Sequence, residues 1–334
     1  MRAVVLVGGF GTRLRPLTLD RPKQMLPILG RPMIEPVLRH LSRHGIDDVV
    51  LSMGYRPDAF TAEYPTGVCA GVQLHFAVEP EPLDTAGAIR FAALDAGIDE
   101  RFVVMNADVL TDIDVRALIA FHDERGAEAT IALHKVEDPS AFGVVPTDAN
   151  GRVEAFVEKP PRDEAPTDLI NAGIYVLEPS VLDRIAPDRR VSIEREVFPA
   201  MVESGTLYAI ADDAYWLDAG TPALYIRAQL DLLDGLRGER VDGIDPAARI
   251  DPAAEVQRSV VGAGCTVAAG AVVRDSVLLP GSAVGEGAVI ERTVLAFGAT
   301  VENGAALTDC VIGDDETVAA GTRLDTVRQP PPDA

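Results

Sequence analysis

The sequence has very little lysine. Of its 30 basic residues only Lys23, Lys135 and Lys159 are lysines, and the other 27 are arginines. Acidic residues number 52, so the formal charge is −22. A chain this negative repels polyanions, which argues against a nucleic-acid partner or an anionic membrane surface. A phosphorylated substrate would need local cations or a metal ion, so a position that keeps a lysine is a candidate for phosphate contact.

Cysteine and long hydrophobic runs are also scarce. The three cysteines, Cys69, Cys265 and Cys310, show no CxxC spacing, which excludes a disulfide framework and a zinc site. No apolar stretch approaches the roughly 20 residues of a membrane span. The apolar run in the opening MRAVVLVGGF is too short for the core of a signal peptide. These absences predict a soluble, cytoplasmic protein.

The first two thirds of the chain alternate short β-branched runs with amphipathic stretches. This rhythm predicts βαβ units in a doubly wound, mostly parallel, Rossmann-like α/β sheet. The predicted strands are Arg2–Val7, Asp48–Met53, Gln73–Val78, Phe102–Asn106, Ala129–His134, Arg152–Lys159 and Ala172–Leu177. The predicted helices are Pro32–His44, Thr85–Gly97, Ile113–Arg125 and Thr221–Leu233.

The end of the chain repeats every 17 residues. When it is written in rows of 17, the rows start at Ile250, Val267, Val284, Val301 and Val318, and equivalent positions form columns. The first, seventh and twelfth columns of these rows are aliphatic throughout, and the fourth carries Gly270, Gly287, Gly304 and Gly321. Three inward-pointing aliphatics per coil predict a left-handed parallel β-helix of the hexapeptide type, with glycine at a corner of positive φ. An antiparallel β-sandwich would instead alternate with period two. The predicted domains are 1–235, a linker at 236–249, and the β-helix at 250–334, which frays from Gln329.

The clearest chemical motif follows the first predicted strand and reads GGFGTRLRPLT over residues 8–18, with Lys23 shortly after. A glycine-rich loop after a strand lets backbone N–H groups approach phosphate oxygens. The loop lacks the GKS or GKT of a Walker A motif, and it does not open directly into a helix as a dinucleotide fingerprint does. Glycines alone would also suit a structural turn, but here Arg13 and Lys23 accompany them.

These residues resemble the sugar-nucleotide pyrophosphorylase (nucleotidyltransferase) family, and the resemblance extends over most of the chain. The further matching motifs are LDTAGA at 83–88, NAD at 106–108, FGVV at 142–145, FVEKP at 156–160, NAGIY at 171–175 and WLDAGT at 216–221. A C-terminal left-handed β-helix is also typical of that family. The resemblance implies an enzyme that joins a sugar 1-phosphate to a nucleoside triphosphate and releases pyrophosphate.

The resemblance also implies roles for individual residues. Arg13 would grip the β- and γ-phosphates and Lys23 would neutralise the α-phosphate, as the catalytic residues. Asp108 and Asp218 would hold Mg²⁺, whereas a lone aspartate is more often a turn or cap residue. The nucleotide-binding set is Leu6, Gly8, Gly9, Gly11, Thr12, Asp84, Thr85, Gly87 and Asp108. The sugar-phosphate set is Gly143, Glu158, Lys159 and Asn171.

One departure from the family pattern bears on the choice of substrate. Asp84 stands where GTP-using members usually carry glycine, and its carboxylate could accept guanine N1–H and N2–H or point to solvent. The segment also lacks the glutamine that dTTP- and UTP-using relatives often have, so GTP is favoured. Mannose 1-phosphate is the expected sugar. The alternatives are dTTP, UTP or ATP, glucose 1-phosphate or a cyclitol phosphate, and a non-catalytic relative that only binds nucleotide sugars.

The β-helix could also carry an acyltransferase. Such domains generally use a histidine base, yet all five histidines precede residue 135 and no lysine follows Lys159. We therefore interpret the β-helix as a structural module through which the chain forms a homo-oligomer. On this interpretation, truncation near residue 240 changes assembly more than chemistry.

Overall fold

The computed structural model describes residues 1–187 and 189–332. Residue contacts divide the chain into two compact units. The first unit comprises Met1–Gly9 and Ile34–Trp216, and the second comprises Phe10–Met33 and the chain from Leu217 onward. The glycine-rich loop is thus divided, because Gly8 and Gly9 belong to the first unit whereas Phe10 and its successors belong to the unit that contains the repeats.

The secondary structure before the repeats mixes short strands and helices. The strands are β1 (Arg2–Leu6), β2 (Pro27–Ile28), β3 (Arg31–Pro32), β4 (Asp48–Met53), β5 (Val68–Cys69), β6 (Val72–Val78), β7 (Phe102–Asn106), β8 (Val109–Thr111), β9 (Ala129–Lys135), β10 (Gly143–Val144), β11 (Val157–Glu158), β12 (Leu169–Leu177), β13 (Leu207–Ala211) and β14 (Trp216–Asp218). The α-helices are α1 (Ile34–Arg43), α2 (Pro57–Glu63), α3 (Asp84–Asp95), α4 (Val115–Arg125), α5 (Phe198–Ser204) and α6 (Pro222–Leu233). Short 3₁₀ turns lie at Thr12–Leu14, Lys23–Met25, Pro139–Ala141, Arg162–Glu164 and Pro179–Arg184, and a π turn lies at Ile193–Val197. Within the described ranges, no helix combines the length and apolarity needed to cross a membrane.

The first unit is built on a sheet with the order β11-β10-β12-β7-β1-β4-β6-β5; in addition, β9 pairs with β12, and β13 pairs with β9. Strands β7, β1, β4 and β6 run parallel, and β12 runs antiparallel to both β7 and β9. The central strands β7, β1 and β4 are buried on both faces, as their near-continuous apolar runs require. The prediction of a doubly wound, mostly parallel sheet is confirmed.

One predicted strand is wrong. Residues Arg152–Lys159 do not form a continuous strand: Arg152 and Val153 make only isolated bridges, and pairing resumes at β11. The interruption falls opposite Pro146, whose carbonyl accepts from Glu154 N at 2.9 Å. Proline has no N–H to return, so the ladder cannot continue past it.

The helix boundaries depend on caps that the apolar spacing does not reveal. Helix α4, predicted from Ile113, begins at Val115 because the Asp114 carboxylate caps it by accepting from Arg116 N and Ala117 N. The helix ends at Gly126, which adopts the left-handed conformation at φ 56°.

The repeats form three parallel sheets, as predicted for a β-helix, and each strand pairs with its equivalent in the next coil. Gln329 still takes part, because it pairs with Ile312. The strands are β15 (Arg249–Ile250), β16 (Glu255–Gln257), β17 (Val260–Val261), β18 (Thr266–Val267), β19 (Val272–Arg274), β20 (Val277–Leu278), β21 (Ala283–Val284), β22 (Val289–Glu291), β23 (Val294–Leu295), β24 (Thr300–Val301), β25 (Ala306–Thr308), β26 (Val311–Ile312), β27 (Thr317–Val318), β28 (Arg323–Asp325) and β29 (Arg328–Gln329).

The aliphatic columns fill the interior of the coils. Val273, Ile290 and Leu307 are fully buried in one column, whereas Val256 and Leu324, the members of that column in the first and last coils, are only partly covered. The glycine column also behaves as predicted, with φ between 66° and 68° at its four members. Inward-facing aliphatics therefore stabilise the coils through the hydrophobic effect.

A second column of left-handed residues lies at another corner and contains no glycine. Its five members have φ between 44° and 56° and are Arg258, Asp275, Arg292, Asp309 and Thr326. Charges alternate down the first four of them, with Arg258 Nη1 at 2.5 Å from Asp275 Oδ1 and Arg292 Nε at 2.9 Å from Asp309 Oδ1. Each exposed pair contributes little stability by itself.

The next column is a buried ladder of small polar side chains. Ser259 Oγ accepts from Ser276 N, Ser276 Oγ accepts from Thr293 N, and Thr293 Oγ1 accepts from Cys310 N, each at 3.1 Å. Each hydroxyl in turn donates to the carbonyl two residues before it, at 2.6–2.8 Å. Buried hydroxyls are thereby satisfied, and the ladder ties each coil to the equivalent position of the next.

Candidate active site

Two predicted site segments lie side by side at the carboxyl edge of the first unit's sheet. Leu6 at the end of β1 pairs with Asn106 at the end of β7. Gly8 and Asp108 each follow two residues later, so the glycine-rich loop and the aspartate leave neighbouring parallel strands. This is the edge at which open α/β sheets bind ligands. Gly9 has φ 96°, a conformation that favours glycine.

Glu79 also faces this loop, although no sequence motif pointed to it. The residue follows β6, and its Oε1 lies 3.9 Å from the point that a Cβ on Gly8 would occupy. Its carboxylate accepts from Leu83 N at 3.1 Å and from Ser52 Oγ at 3.2 Å. Burial raises the pKa of the Glu79 carboxyl group, although both hydrogen bonds oppose this rise. Glu79 is therefore a fixed, partly desolvated acceptor beside the loop.

The segment after Leu83 is directed mainly toward its own protein surroundings. Asp84 is exposed, has φ 63°, and its carboxylate accepts from Thr85 N at 2.8 Å. The Thr85 hydroxyl donates to Glu194 Oε2 at 2.7 Å. Gly87 is buried where a Cβ would come within 2.8 Å of the Leu83 side chain. Hence Thr85 and Gly87 serve the packing of α3.

Three of the predicted sugar-phosphate residues come together on β10, on β11 and directly after β11. Gly143 pairs with Glu158, and a Cβ at Gly143 would lie 2.6 Å from the Phe156 ring and 3.1 Å from Glu158 Oε2. Lys159 Nζ lies 3.4 Å from Glu158 Oε1, and Lys159 has φ 51°. The side chain of Lys159 is 57% exposed and that of Glu158 is 23% exposed. The lysine can thus turn toward a ligand while the glutamate stays largely in place.

Asn171 lies on the adjoining strand, at an irregular point. Val144 pairs with Ile170, which places Asn171 next to Gly143 in the sheet. Asn171 Nδ2 donates to Tyr175 Oη at 2.8 Å, and its Oδ1 accepts from Gly173 N at 2.9 Å. The register shifts between Asn171 and Tyr175, where Gly173 has φ 74°. This bulge fixes the Asn171 amide, which keeps a second N–H for a ligand.

In the second unit, the loop residues fold around a tight turn. Gly11 has φ 59°, and its carbonyl accepts from Leu14 N at 2.9 Å and from Thr18 Oγ1 at 2.8 Å. A Cβ at Gly11 would lie 3.0 Å from Thr18 Cγ2 and 3.3 Å from Lys23 Cβ. Thr12 is exposed and begins the 3₁₀ turn. The absence of a side chain at Gly11 therefore lets Lys23 approach the loop.

Arg13 and Asp218 are brought together in this unit. Arg13 Nη2 lies 3.7 Å from Asp218 Oδ2, and their side chains are 61% and 17% exposed. Asp218 Oδ1 accepts from Gly220 N at 2.8 Å, and a Cβ at Gly220 would lie 2.7 Å from both Arg13 Nη2 and Asp218 Oδ1. The aspartate is therefore held firmly, and the glycine leaves space for the guanidinium.

Asp108 and Asp218 are the residues predicted to bind a metal ion. In the described part of the chain, no three histidine, cysteine, aspartate or glutamate side chains cluster as metal ligands would. Asp108 and Asp218 are hard oxygen donors. Carboxylate oxygens of this kind suit a hard cation such as Mg²⁺.

The third lysine has a different environment from the other two. Lys135 Nζ pairs with Asp168 Oδ2 at 3.0 Å, and the two side chains are 65% and 47% exposed. This is an ordinary surface ion pair, to which no substrate contact is assigned.

Comparison with known families matches both parts of the chain. Residues 2–235 match the nucleotidyl transferase family, and residues 241–330 match the GMPPB C-terminal domain. The mannose-1-phosphate guanylyltransferase of Mycobacterium tuberculosis is 44% identical over 278 residues, which cover 80% of this chain and 77% of that protein. A mannose-1-phosphate guanyltransferase of Schizosaccharomyces pombe is 41% identical over 276 residues, covering 78% and 74%.

Solved structures agree with the sequence matches. HddC from Yersinia pseudotuberculosis, in a crystal structure as a complex with GMP-PN, has a TM-score of 0.60 and 28% identity, covering 68% of this chain and 97% of that chain. The chain therefore belongs to the nucleotidyl transferase family, and it is a nucleotidyltransferase similar over most of its length to enzymes named mannose-1-phosphate guanylyltransferase.

Proposed function

We propose that the protein joins mannose 1-phosphate to GTP and releases pyrophosphate. The observation that carries this proposal is the 44% identity to the Mycobacterium tuberculosis enzyme across 80% of the chain, because that enzyme's name specifies the sugar phosphate and the base. The motif residues of the resemblance are spread over both units, and the arrangement within each unit supports the same reaction.

In this reaction a phosphate oxygen of the sugar 1-phosphate attacks the α-phosphorus of the triphosphate in line. A new P–O bond forms as the bond between the α-phosphorus and its bridging oxygen breaks, and pyrophosphate departs with the electron pair. Charge shifts toward the leaving group, so fixed cations stabilise the transition state. Arg13 offers a fork that suits the β- and γ-phosphates, and Lys23 offers a compact charge for the α-phosphate.

Enzymes of this family generally act with a divalent metal, and we propose Mg²⁺ held by Asp108 and Asp218. The carboxylate donors suit a hard cation, and when bound it would neutralise charge on the phosphates. The protein itself prepares Asp218 for this role, because Gly220 N–H fixes one oxygen and leaves the other directed toward Arg13.

The sugar 1-phosphate is assigned to the site formed by β10, β11 and β12. Glu158 supplies acceptors for sugar hydroxyls, and the backbone of Gly143 and the amide of Asn171 complete the polar lining. Lys159 provides the charge for the sugar phosphate, which the glutamate beside it would otherwise repel. Asp84 is left out of the nucleotide contacts, because it is exposed and its carboxylate accepts from Thr85 N. The other predicted nucleotide-binding residues are assigned to the triphosphate substrate: Leu6, Gly8, Gly9, Gly11, Thr12, Thr85, Gly87 and Asp108.

A matrix of GTP, ATP, UTP, dTTP and CTP against several sugar 1-phosphates tests the proposal, with pyrophosphate release as the readout. We expect GTP with mannose 1-phosphate to give the highest kcat/KM. Failure of GTP with every sugar would contradict the choice of base, and failure of every pair would favour a protein that only binds nucleotide sugars.

We propose that the Glu79 carboxylate, which lies beside Gly8, accepts hydrogen bonds from the guanine base, and a substitution at Glu79 tests this contact. Guanine presents the adjacent donors N1–H and N2–H, which a carboxylate can accept, whereas an amide offers one donor in place of an acceptor. We expect Glu79→Gln to lower kcat/KM for GTP about 10- to 100-fold, because such a change leaves a donor facing a donor. Steady-state pyrophosphate release measures the effect.

Asp84→Asn is the matched control for Glu79→Gln, since it changes an exposed carboxylate nearby in the same way. We expect its kcat/KM for GTP to stay within about twofold of the wild-type value. The opposite ranking of the two variants would show that Asp84, rather than Glu79, contacts the base.

We further propose that the β-helix mediates a homo-oligomer. The support is chemical: the domain contains no histidine or lysine that could serve an acyltransferase, so an interaction role remains for its exposed faces. Sedimentation velocity of the intact chain tests this part of the proposal, and a monomer at micromolar concentration would refute it.

A further inference from the structure

The part of the glycine-rich loop that follows Gly9, which includes Arg13, contacts the last coil of the β-helix within the second unit. Arg328 Nη1 donates to the carbonyl of Arg13 at 2.9 Å and to the carbonyl of Arg15 at 3.2 Å. Arg328 belongs to β29, and its side chain is only partly exposed. One guanidinium thus bonds to the backbone of the residue proposed to grip the triphosphate.

These bonds complete the hydrogen bonding of the loop turn. The 3₁₀ turn uses the carbonyls of Gly11 and Thr12, which accept from Leu14 N and Arg15 N. Arg328 bonds to the next carbonyl along, that of Arg13. A hydrogen bond from a charged donor is stronger than a neutral one, so Arg328 fixes the peptide plane directly after the Arg13 side chain.

A second set of contacts holds the same loop further along. Arg21 Nη2 lies 2.5 Å from Asp314 Oδ2, and its guanidinium lies 4.0 Å above the Phe297 ring. The two charged side chains are only 23% and 27% exposed. Burial raises the pKa of Asp314 while the charge of Arg21 lowers it, as expected for a partly desolvated pair.

The backbones also approach closely at this point. A Cβ at Gly313 would lie 3.3 Å from Pro16 Cβ, and Arg15 Nη1 donates to the carbonyl of Pro332 at 3.2 Å. The third, fourth and fifth coils therefore contact this segment through a ring stacked on Arg21, through an ion pair and close packing, and through hydrogen bonds to or from Arg328 and Pro332, respectively.

We propose that Arg328 is a positioning residue for nucleotidyl transfer, which acts by holding the loop backbone so that Arg13 is directed toward the triphosphate. The proposal rests on the proposed function, because the role of Arg13 is part of it. It also changes the expectation for the β-helix: truncation near residue 240 would remove Arg328, Asp314 and Phe297, and would impair chemistry as well as assembly.

The test compares Arg328→Ala with Arg323→Ala in the full chain. Arg323 is exposed, lies in the same coil and carries the same charge, so it controls for general electrostatic and stability effects. Hydrogen exchange of the amides of residues 11–19 reports on the loop, and steady-state kinetics reports on the two substrates separately.

We expect faster amide exchange in residues 11–19 for Arg328→Ala and wild-type exchange for Arg323→Ala. The kcat/KM for the triphosphate should fall by about 10- to 100-fold, since a misplacement of about 1 Å can cost 10²-fold, while KM for the sugar 1-phosphate stays unchanged. Arg328→Lys should recover part of the loss because it keeps one charged donor. If Arg328→Ala does not fold, Arg328→Gln takes its place in the same comparison.

Each outcome decides the proposal. Unchanged exchange in residues 11–19 would overturn it, whatever the activity. Faster exchange with unchanged kcat/KM for the triphosphate would overturn the claim that the loop position matters for catalysis. An equal loss of kcat/KM in Arg323→Ala would show that the effect is general destabilisation. If the wild-type chain releases no pyrophosphate with any substrate pair, the proposed function fails, but exchange still decides whether Arg328 holds the loop.

Discussion

Replacing Arg13 with alanine should lower kcat/KM for the triphosphate by about 10²- to 10³-fold, the usual cost of one lost transition-state donor. The fold should tolerate the change, because the Arg13 side chain is 61% exposed and its ion pair with Asp218 spans 3.7 Å. Such a pair adds little stability. Pyrophosphate release and the thermal midpoint together separate the catalytic effect from a folding effect.

Two further variants sharpen this result. Arg13→Lys keeps the charge but loses the planar fork, so its activity should lie between those of Arg13→Ala and the wild type. Arg323→Ala removes an exposed arginine elsewhere and should match the wild type. An Arg13→Ala enzyme within about twofold of the wild-type kcat/KM would show that Arg13 does not contact the phosphates.

The second large effect concerns the β-helix interior. Ile290→Ala should lower the free energy of unfolding of the β-helix by about 2–5 kcal/mol, because it deletes buried methyl groups and leaves a cavity. Ile290 is fully buried inside its coil, with 0% of its surface accessible to solvent. Urea denaturation, followed by far-ultraviolet circular dichroism, measures the loss.

Val289→Ala is the matched control, since Val289 is the preceding residue on the same strand and is partly exposed. Successive strand residues face opposite sides, so its truncation should cost less than about 1 kcal/mol. Equal losses at both positions would contradict the inward and outward alternation on which the repeat depends.

Much of the fold could be predicted because its signals are periodic. Each coil repeats the same inward positions, so the β-helix is specified several times over. The first unit could be predicted for a similar reason, since buried parallel strands such as β1 and β7 read as short apolar runs. The failure at residues 152–159 came from pairing, because the proline at position 146 of the facing segment, which cannot return a hydrogen bond, is invisible from residues 152–159 alone.

The candidate site also contains residues that the sequence could predict and residues that it could not. Gly8 and Asp108 could be found because each closely follows a recognisable strand. Glu79 follows β6 in the same manner, and an acidic residue directly after a strand was an available signal, but only the register of the sheet shows that it faces Gly8. Arg328 had no signal of this kind, because its contact with Arg13 spans 315 residues of sequence.

The alternating column of Arg258, Asp275, Arg292 and Asp309 restricts how the length of this domain can evolve. Duplication of one of these four coils, or loss of the coil that carries Asp275 or Arg292, preserves the aliphatic interior and the hydroxyl ladder, but it places two arginines or two aspartates in neighbouring coils. A change of two coils preserves the interior, the ladder and the charge pairing together. The charge pattern therefore repeats every two coils, whereas the hydrophobic pattern repeats every coil. A change in length that keeps both patterns adds or removes two coils at a time.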